Sequence, residues 1–430
     1  MGASRSTNQK FPSARDFDVN SFTAVRKLRQ RLRFVRHCRF VLSKPRHRDT
    51  LIYDRSGSEF LLQILNPEHT EILDIRGESL NVRVLLKMLL GRKNSLYNYA
   101  CEYIRFVNPN FVITFTDTDT NFYRLKSDFP KITTIAIQNG IRSNLGPRFD
   151  SGFFDLLQRA SERVNLSVDY MCLLGNAIGS KYQPWLNAQF ISVGGLRNNS
   201  VKLTHRVSSR KSIRFISQYP PAWTNDSDIC LYYRTHPMSF STFYEAEGRI
   251  VKSLAQYCNN HGLEFAISGK RDQSSIDERD FFSRAIGSLP WTFIPRKTST
   301  SSYESLEPAS VIVTIDSTLG YEFLARGFRT AFFSIRGTLI SNRIGVSVED
   351  LNFGWPQQRE PHGPFWTNTA SESEFVRVLD YLTTVEDNEW TREIGKYTGD
   401  LMVFDQGNTV LRGLLQRLGA KLIEQGSKHA

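Results

Sequence analysis

Short apolar runs alternate with amphipathic stretches along most of the chain. In the first half, the apolar runs are rich in β-branched residues and favour strands. The candidate strands are Thr50–Tyr53, Thr70–Ile75, Phe111–Thr116, Ile132–Gln138, Tyr170–Leu174 and Phe190–Val193. The candidate helices between them are Phe60–Leu65, Leu80–Leu90, Ser95–Val107 and Phe153–Arg163. This alternation is typical of parallel α/β architecture rather than of a helical bundle or a β-sandwich.

The same alternation begins again after a polar, linker-like stretch at residues 204–211. The second set of candidate strands is Ile213–Ser217, Glu264–Ser268, Trp291–Ile294, Val311–Ile315 and Thr330–Ser334. The candidate helices are Phe243–Asn259, Glu278–Ile286, Leu319–Arg326 and Glu372–Thr383. The pattern predicts two Rossmann-like, doubly wound domains, 46–203 and 204–400, that face a cleft, followed by a C-terminal helical tail over 401–430. Ligands of such sheets bind beyond the carboxyl ends of the strands.

The first 45 residues form a separate, basic segment. Residues 1–50 contain 13 Lys+Arg and 3 Asp+Glu, against 55 and 43 in the whole chain, so the remaining body is nearly neutral. This distribution argues against a specific nucleic-acid partner, whose binding would need basic residues across the body. Apolar positions within residues 21–43 recur at helical spacing and predict an amphipathic helix. The helix could bind an anionic membrane surface, pack on its own domain, or serve as a cleaved targeting peptide.

Cysteine usage and hydropathy bear on the cellular compartment. The five cysteines are scattered without a Cys-x-x-Cys pair, which is typical of reduced thiols. No apolar run approaches the ~20 residues that a membrane-spanning helix needs. The sequence therefore predicts a cytoplasmic protein, with attachment to the inner face of the cell membrane through the basic segment as an additional expectation.

Three short strings resemble a known family. They are VTIDSTLGYEFLARG at 313–327, IQNGIR at 137–142 and GPFWTN at 363–368. Together they resemble bacterial surface-carbohydrate biosynthesis proteins, transferases of the glycosyltransferase-B (GT-B) type, over most of residues 50–400. The resemblance implies a nucleotide-sugar donor held mainly by the C-terminal domain. It also implies an acceptor, a saccharide or a lipid-linked saccharide, that meets the N-terminal domain.

The candidate donor site follows two strands of the second half. Ser317 and Thr318 lie between a strand and a helix, where backbone N–H groups and hydroxyls suit a diphosphate. Glu322 matches the family's glutamate, and the resemblance implies that it binds the ribose hydroxyls. Lys270 and Arg271 lie where the donor phosphates would be reached. Each candidate also has a structural alternative. Ser317 or Thr318 could simply cap the helix, Glu322 could interact with the helix dipole, and Lys270 and Arg271 could form a solvated charged loop.

Two aspartates that follow strands of the first half are candidates for the catalytic base. Asp54 or Asp117 could deprotonate the acceptor hydroxyl, with Ser56 as an acceptor-binding neighbour. Asp54 could equally form an Asx turn. Asp117 and Asp119 form an Asp-x-Asp pattern, which metal-dependent glycosyltransferases of the A type use to chelate a divalent cation. Two hard oxygen ligands do not by themselves define a site, so we predict no metal and no required cofactor.

Amide and imidazole side chains complete the set of candidates. Gln138 and Asn139 end a strand and could bind acceptor hydroxyls, although Asn-Gly is also a common turn. His236 precedes a proline, as in related carbohydrate transferases, and could stabilise the leaving diphosphate. A lone histidine is more often structural.

These features predict a metal-independent glycosyltransferase that acts in cell-surface polysaccharide biosynthesis. One alternative is a nucleotide-sugar 2-epimerase, which shares the two-domain fold and needs no acceptor. The other is a non-catalytic binding module tethered to the membrane by the basic segment. The sequence motifs of P-loop proteins, α/β-hydrolases and dinucleotide-binding dehydrogenases are absent from the chain.

Overall fold

The computed structural model describes residues 38–75, 79–91, 95–146, 152–203, 211–219, 226–271, 276–356 and 359–423. Most of the predicted basic helix therefore lies outside the described residues. Its last part does not continue as a helix: Arg39–Val41 is a strand, paired in parallel with Ser79–Asn81. The prediction of a helix up to residue 43 is wrong at this end. Periodicity could not reveal the pairing, because the partner strand lies about 40 residues further along the chain.

The strands alternate with the helices in both halves, as the sequence predicts. The strands are β1 (Arg39–Val41), β2 (Thr50–Ile52), β3 (Thr70–Ile72), β4 (Ser79–Asn81), β5 (Phe111–Thr114), β6 (Thr133–Ile137), β7 (Leu145–Gly146), β8 (Ser167–Leu173), β9 (Asn187–Ser192), β10 (Ser212–Ile216), β11 (Ile229–Tyr233), β12 (His236–Ser239), β13 (Glu264–Ser268), β14 (Thr292–Ile294), β15 (Val311–Thr314), β16 (Thr330–Phe333), β17 (His362–Gly363) and β18 (Trp366–Thr367).

The helices include several of a single turn. They are α1 (Ser58–Leu61), α2 (Val82–Leu90), α3 (Leu96–Val107), α4 (Leu125–Asp128), α5 (Phe153–Ser161), α6 (Gly179–Tyr182), α7 (Leu196–Ser200), α8 (Phe240–His261), α9 (Ile276–Ile286), α10 (Ser301–Leu306), α11 (Thr318–Ala325), α12 (Arg336–Ile344), α13 (Glu372–Thr384), α14 (Asp387–Ile394), α15 (Thr398–Leu401) and α16 (Thr409–Arg417). Short 3-10 helices cover Pro67–His69, Phe122–Arg124 and Glu349–Leu351. None of the helices in the described ranges combines the length and apolar character that a bilayer crossing requires.

Local capping explains where the long helices begin and end. Ser239 precedes α8, and its hydroxyl accepts a hydrogen bond from the Thr242 amide at 3.2 Å. Gly262 ends the same helix in the left-handed region at φ 63°. Ser95 caps α3 in the same way, and Asn108 ends it at φ 50°. Capping residues thus set these boundaries, close to those predicted from the sequence.

The first half forms a parallel six-stranded sheet in the order β3-β2-β5-β6-β8-β9. Its strands are apolar on both faces: Leu51 packs into the cluster that contains α2 and α3, and Ile52 into the cluster on the opposite face. The second cluster also contains Leu411, Leu414 and Leu415 of α16. The last described helix of the chain therefore packs on the first sheet.

The second half forms a seven-stranded sheet in the order β14-β13-β10-β15-β16-β18-β17. All its pairings are parallel except the β17–β18 hairpin. The large core of this half includes residues of α8 and α13 packed against β10, β15 and β16. Two parallel sheets covered by helices on both faces confirm the predicted α/β class with two Rossmann-like, doubly wound units.

A small third sheet joins the two halves. Its order is β12-β11-β7, and all its pairings are antiparallel. β7 comes from the first half, and its Leu145 and Gly146 pair with Tyr233 and Tyr232 of β11. The two halves are therefore connected by backbone hydrogen bonds near the cleft as well as by the packing of α16.

Candidate functional site

A cleft of about 480 Å³ lies between the two sheets. The residues that line it follow strands at their carboxyl ends, as expected for doubly wound sheets. Gln138 and Asn139 follow β6, Ser217 follows β10, Lys270 follows β13, and Ser317 follows β15. Because the chain directions in each sheet are parallel, these loops converge on one place. The first half contributes mainly apolar side chains together with the amides of Gln138 and Asn139, and the second half contributes mainly hydroxyl and charged side chains.

The start of α11 lies directly on the cleft. Ser317 is its N-cap residue, and the Ser317 hydroxyl accepts a hydrogen bond from the Leu319 amide at 3.3 Å. The Thr318 hydroxyl accepts a hydrogen bond from the Ile141 amide of the first half at 3.1 Å. Both residues line the cleft, so the capping role and the placement predicted for a donor-binding residue occur together. The Thr318 contact is also a polar link between the two halves.

Glu322 lies one helical turn further along α11 and also lines the cleft. Only 9% of its surface is exposed, and the Tyr303 hydroxyl donates a hydrogen bond to Oε2 at 2.6 Å. Burial raises the pKa of Glu322 to about 7, although the Tyr303 hydrogen bond and the charges of Arg197 and Arg326 oppose this shift. A Cβ atom at Gly195 would lie 3.1 Å from Oε1, so glycine there allows the close approach of the two halves.

Lys270 also lines the part of the cleft that the second half forms. Its backbone amide donates to Oε1 of Glu278 at 2.9 Å, and its Nζ donates to the Gln218 carbonyl at 3.4 Å. Burial lowers the pKa of the Lys270 ammonium group, because the charged form loses hydration there. Arg271 is the next residue, but it is not among the residues that line the cleft.

A buried ionic cluster under the cleft was not predicted from the sequence. The Arg336 guanidinium is 2% exposed; its Nη1 donates to Oδ1 of Asp316 at 2.7 Å and its Nη2 contacts Glu247. Nη2 also donates to the Gln218 side chain at 3.2 Å. Burial raises the pKa of the Glu247 carboxyl group to about 7. The available signal was the position of Arg336 three residues after a buried strand, β16, at the start of α12.

Asp117 is fully buried and lies beside the cleft rather than on its surface. Its Oδ2 accepts hydrogen bonds from Nε of Arg142 at 3.0 Å and from the Tyr182 hydroxyl at 2.6 Å. Its Oδ1 accepts a hydrogen bond from the Asn139 amide at 3.2 Å. Both carboxylate oxygens are thus bound to protein groups. In this position Asp117 holds the loop that presents the exposed Asn139 side chain to the cleft.

The other candidates of the first half also have local partners. Asp54 is 2% exposed, and its Oδ1 accepts a hydrogen bond from the Ser56 amide at 2.9 Å, which is the Asx turn considered above. Burial raises the pKa of Asp119, and its Oδ1 accepts a hydrogen bond from the Asn121 amide at 3.0 Å. Within the described ranges, no group of three or more His, Cys, Asp or Glu side chains is arranged to hold a metal ion.

His236 begins β12 in the sheet that joins the two halves. Its Nδ1 atom is buried and has no hydrogen-bond partner among the described residues. The structure brings together in the cleft the candidates Gln138, Asn139, Lys270, Ser317, Thr318 and Glu322. The candidates outside its lining are Asp54, Ser56, Asp117, His236 and Arg271. Of these five, Asp54 and Asp117 are buried in the surrounding protein, whereas Ser56 is exposed.

Comparisons with solved structures identify proteins whose chain fold is similar to this one. Similar structures are the wall teichoic acid polymerase TagF with CDPG, S. aureus MnaA with UDP, and the UDP-GlcNAc 2-epimerase of Neisseria meningitidis with UDP-GlcNAc. TagF is 11% identical with a TM-score of 0.44, covering 92% of this chain and 98% of TagF. MnaA is 11% identical with a TM-score of 0.49, covering 88% of this chain and 100% of MnaA. The Neisseria enzyme is 10% identical with a TM-score of 0.47, covering 86% of this chain and 99% of that enzyme.

The family of the chain follows from its sequence. No curated protein matches the chain significantly. A family model described as "putative O-antigen biosynthesis protein" matches residues 135–419, which is more than half of the chain. The match includes the loop after β6, the loop after β13 and the start of α11, and therefore nearly all of the cleft lining. The chain belongs to this family of O-antigen biosynthesis proteins, which confirms the predicted link to surface-carbohydrate biosynthesis.

Proposed function

We propose that this protein is a GT-B-type glycosyltransferase that moves a sugar from a nucleotide-activated donor to an acceptor hydroxyl in surface polysaccharide biosynthesis. The observation that carries this proposal is the composition of the cleft. A helix N-terminus and the basic side chains of the second half line the same cleft as the Gln138 and Asn139 amides of the first half. A phosphorylated group and a hydroxyl-rich group could therefore be held next to each other in one cavity.

The donor diphosphate would lie at the start of α11. The hydroxyls of Ser317 and Thr318 and the positive end of the helix dipole favour an anion there. Lys270 and Arg296 of the second half and Arg197 of the first half add basic side chains to the cleft lining. The Nε atom of Arg197 is buried and has no hydrogen-bond partner among the described residues, so it is a donor that a phosphate oxygen could satisfy. Because these groups are already positioned in the cleft, they would stabilise the negative charge of the leaving diphosphate without having to reorganise.

The position of Lys270 on the cleft lining supports the same assignment. Desolvation lowers the pKa of its ammonium group. A bound diphosphate would supply a compensating negative charge and favour the charged form of the side chain. We assign the ribose to Glu322, because an ionised carboxylate can accept hydrogen bonds from two neighbouring hydroxyls.

The acceptor, a saccharide or a lipid-linked saccharide, would enter from the side of the first half. The Gln138 side chain donates a hydrogen bond to the Gly140 carbonyl and accepts one from the Leu174 amide. Gln138 therefore forms part of the cleft wall in this proposal. Asn139 is exposed in the cleft and is the side chain that would contact the acceptor. Asp117 is a positioning residue in this proposal, because it holds Asn139 and Arg142 in place.

A nucleotide-binding experiment tests the donor site. Calorimetry with UDP, CDP, GDP, ADP and dTDP, each with magnesium or with EDTA, should show tight binding of one nucleoside diphosphate in both conditions. Lys270→Met should weaken that binding at least tenfold. Lys297→Met is the matched control, because Lys297 is exposed and lies outside the cleft lining, and it should bind as the wild type does. Absence of binding for all five nucleotides would overturn the proposal.

A turnover experiment separates transfer from epimerisation. The protein is incubated with sugar conjugates of the nucleotide that binds, with and without oligosaccharide acceptors. Release of nucleoside diphosphate that depends on the acceptor supports transfer. Conversion of the donor into its C2 epimer without an acceptor would replace the proposed function by the 2-epimerase alternative.

A further inference from the structure

Large apolar side chains are exposed together on one surface of the first half. This surface, called here the leucine face, consists of Phe40 and Leu42 near β1 and Leu86, Leu89 and Leu90 of α2. Their exposed fractions are 46%, 71%, 55%, 52% and 85%, respectively. Single exposed leucines are common on protein surfaces, but such a concentration marks an interaction site.

The five side chains belong to one continuous surface. β1 pairs with β4, and α2 begins at the residue after β4. The Nε atom of Arg83 in α2 donates a hydrogen bond to the Leu42 carbonyl at 3.1 Å, which places the end of β1 beside the helix. Leu86, Leu89 and Leu90 are spaced by three and four residues and therefore share one side of α2.

The opposite side of α2 is already used for folding. Val84 and Met88 are buried in the core of the first half together with residues of α3. The helix is thus apolar on the side that faces the core and apolar again on the side that faces outward. A helix of this kind is typical of contact with a second apolar environment.

Charge around the leucine face is positive. Residues 38–48 and 82–96 together contain eight Lys+Arg and no Asp or Glu. The exposed basic side chains among the described ones are Arg39, Lys44, Arg46, Arg83 and Lys87. Lys87 is partly neutralised, because its Nζ lies 3.6 Å from Oε2 of Glu102. Neither stretch contains an acidic residue that could neutralise the other four basic side chains.

We propose that the leucine face docks on an anionic lipid surface. The leucines would enter the boundary between headgroups and acyl chains, and the basic side chains would contact lipid phosphates. Apolar side chains ringed by positive charge complement such a surface. Two copies of this chain would instead bring two basic rims together, which disfavours self-association through this face.

This inference goes beyond the proposed function and does not depend on it. The leucine face precedes residue 135, where the family match begins, and it does not contribute to the cleft lining. It shares only Phe40 and Leu42 with the predicted contact through residues 21–43, most of which lie outside the described residues, and it adds Leu86, Leu89 and Leu90 of α2. A membrane contact at the leucine face would rely on side chains of the folded domain.

Vesicle binding of the full-length protein tests this inference. Sedimentation with vesicles of phosphatidylcholine and phosphatidylglycerol would be compared with sedimentation with vesicles of phosphatidylcholine alone, which lack the anionic headgroups. The test variant is Leu86→Gln, Leu89→Gln, Leu90→Gln. The matched control is Leu156→Gln, Val164→Gln, Val410→Gln, since these residues are also exposed apolar side chains.

The expected result is binding to the anionic vesicles that the test variant loses by tenfold or more and that the control retains. Circular dichroism and nucleotide binding of both variants should match the wild type, which shows that the fold is intact. Equal vesicle binding by the test variant and the wild type would overturn the inference, as would failure of the wild type to bind. If the test variant changes the oligomeric state of the protein, the leucine face contacts a second copy of the chain. That result would overturn the inference as well.

Discussion

Replacing Glu322 by glutamine should stabilise the protein above neutral pH and at the same time weaken nucleotide binding. The carboxylate is buried on α11, and its pKa is raised from 4.5 to about 7 by burial. The folded protein therefore holds a proton that the unfolded chain releases between these two values. Below pH 4.5 the group is protonated in both the folded and the unfolded state, so its ionisation does not change the free energy of unfolding. Stability therefore falls as the pH rises from 4.5 to about 7, and above about 7 the folded state carries the buried charge at its full cost.

The size of this effect follows from the shift in pKa. A difference between 4.5 and about 7 corresponds to about 3 kcal/mol of lost stability at pH 8, and to less than about 1 kcal/mol at pH 5. Glutamine has nearly the same shape, can accept the Tyr303 hydrogen bond and cannot ionise. The advantage of Glu322→Gln over the wild type should therefore grow by about 2 kcal/mol between pH 5 and pH 8.

Urea unfolding measured at pH 5, 6, 7 and 8 checks this prediction. Glu68→Gln is the matched control, because Glu68 is exposed, and its free energy of unfolding should change by less than about 0.5 kcal/mol at every pH. Glu247 also titrates abnormally, but it is present in the wild type and in both variants and cancels in the comparison.

Nucleotide affinity provides the second half of the test. If the ionised carboxylate binds the ribose, Glu322→Gln should lower affinity for the nucleoside diphosphate, by about 1.5–3 kcal/mol for a lost charge-assisted hydrogen bond. A stability difference that is the same at pH 5 and pH 8 would refute the assigned burial cost. An unchanged affinity would remove Glu322 from the donor site even if the stability result is as expected.

Three further substitutions test other parts of the structure against the wild type, the first two by urea unfolding and the third by limited proteolysis. Arg336→Met should cost about 3–5 kcal/mol, because it leaves the Glu247 carboxylate buried without its partner; a loss below about 1 kcal/mol would contradict this account. Tyr182→Phe should cost about 1–3 kcal/mol by removing one hydrogen bond to the buried Asp117, and a variant as stable as the wild type would be inconsistent with that bond. Asn408→Ala should expose α16 to limited proteolysis, because Asn408 adopts φ 57° and its side chain ties the start of α16 to α7; unchanged cleavage would argue against this role.

The sequence determined the local elements and the place where they meet. Continuous β-branched runs such as Val311–Thr314 favour buried strands, and their alternation with helices favours parallel strands joined by right-handed crossovers. In such sheets the loops after the strands converge. Residues predicted from their position after a strand, such as Asn139, Lys270 and Ser317, therefore line the cleft.

The tertiary structure decided which polar side chains face the cleft and which are neutralised inside the protein. Asp117 follows a strand as Ser317 does, but Tyr182, 65 positions further along the chain, donates to its carboxylate inside the protein. Arg336 and Glu247 lie 89 positions apart and meet only because α12 packs against α8. The pairing of β7 with β11 is likewise a contact between the two halves. Periodicity and spacing describe how a segment relates to its own neighbours, whereas the burial and the charge partners of a side chain depend on segments that are distant in sequence and close only after folding.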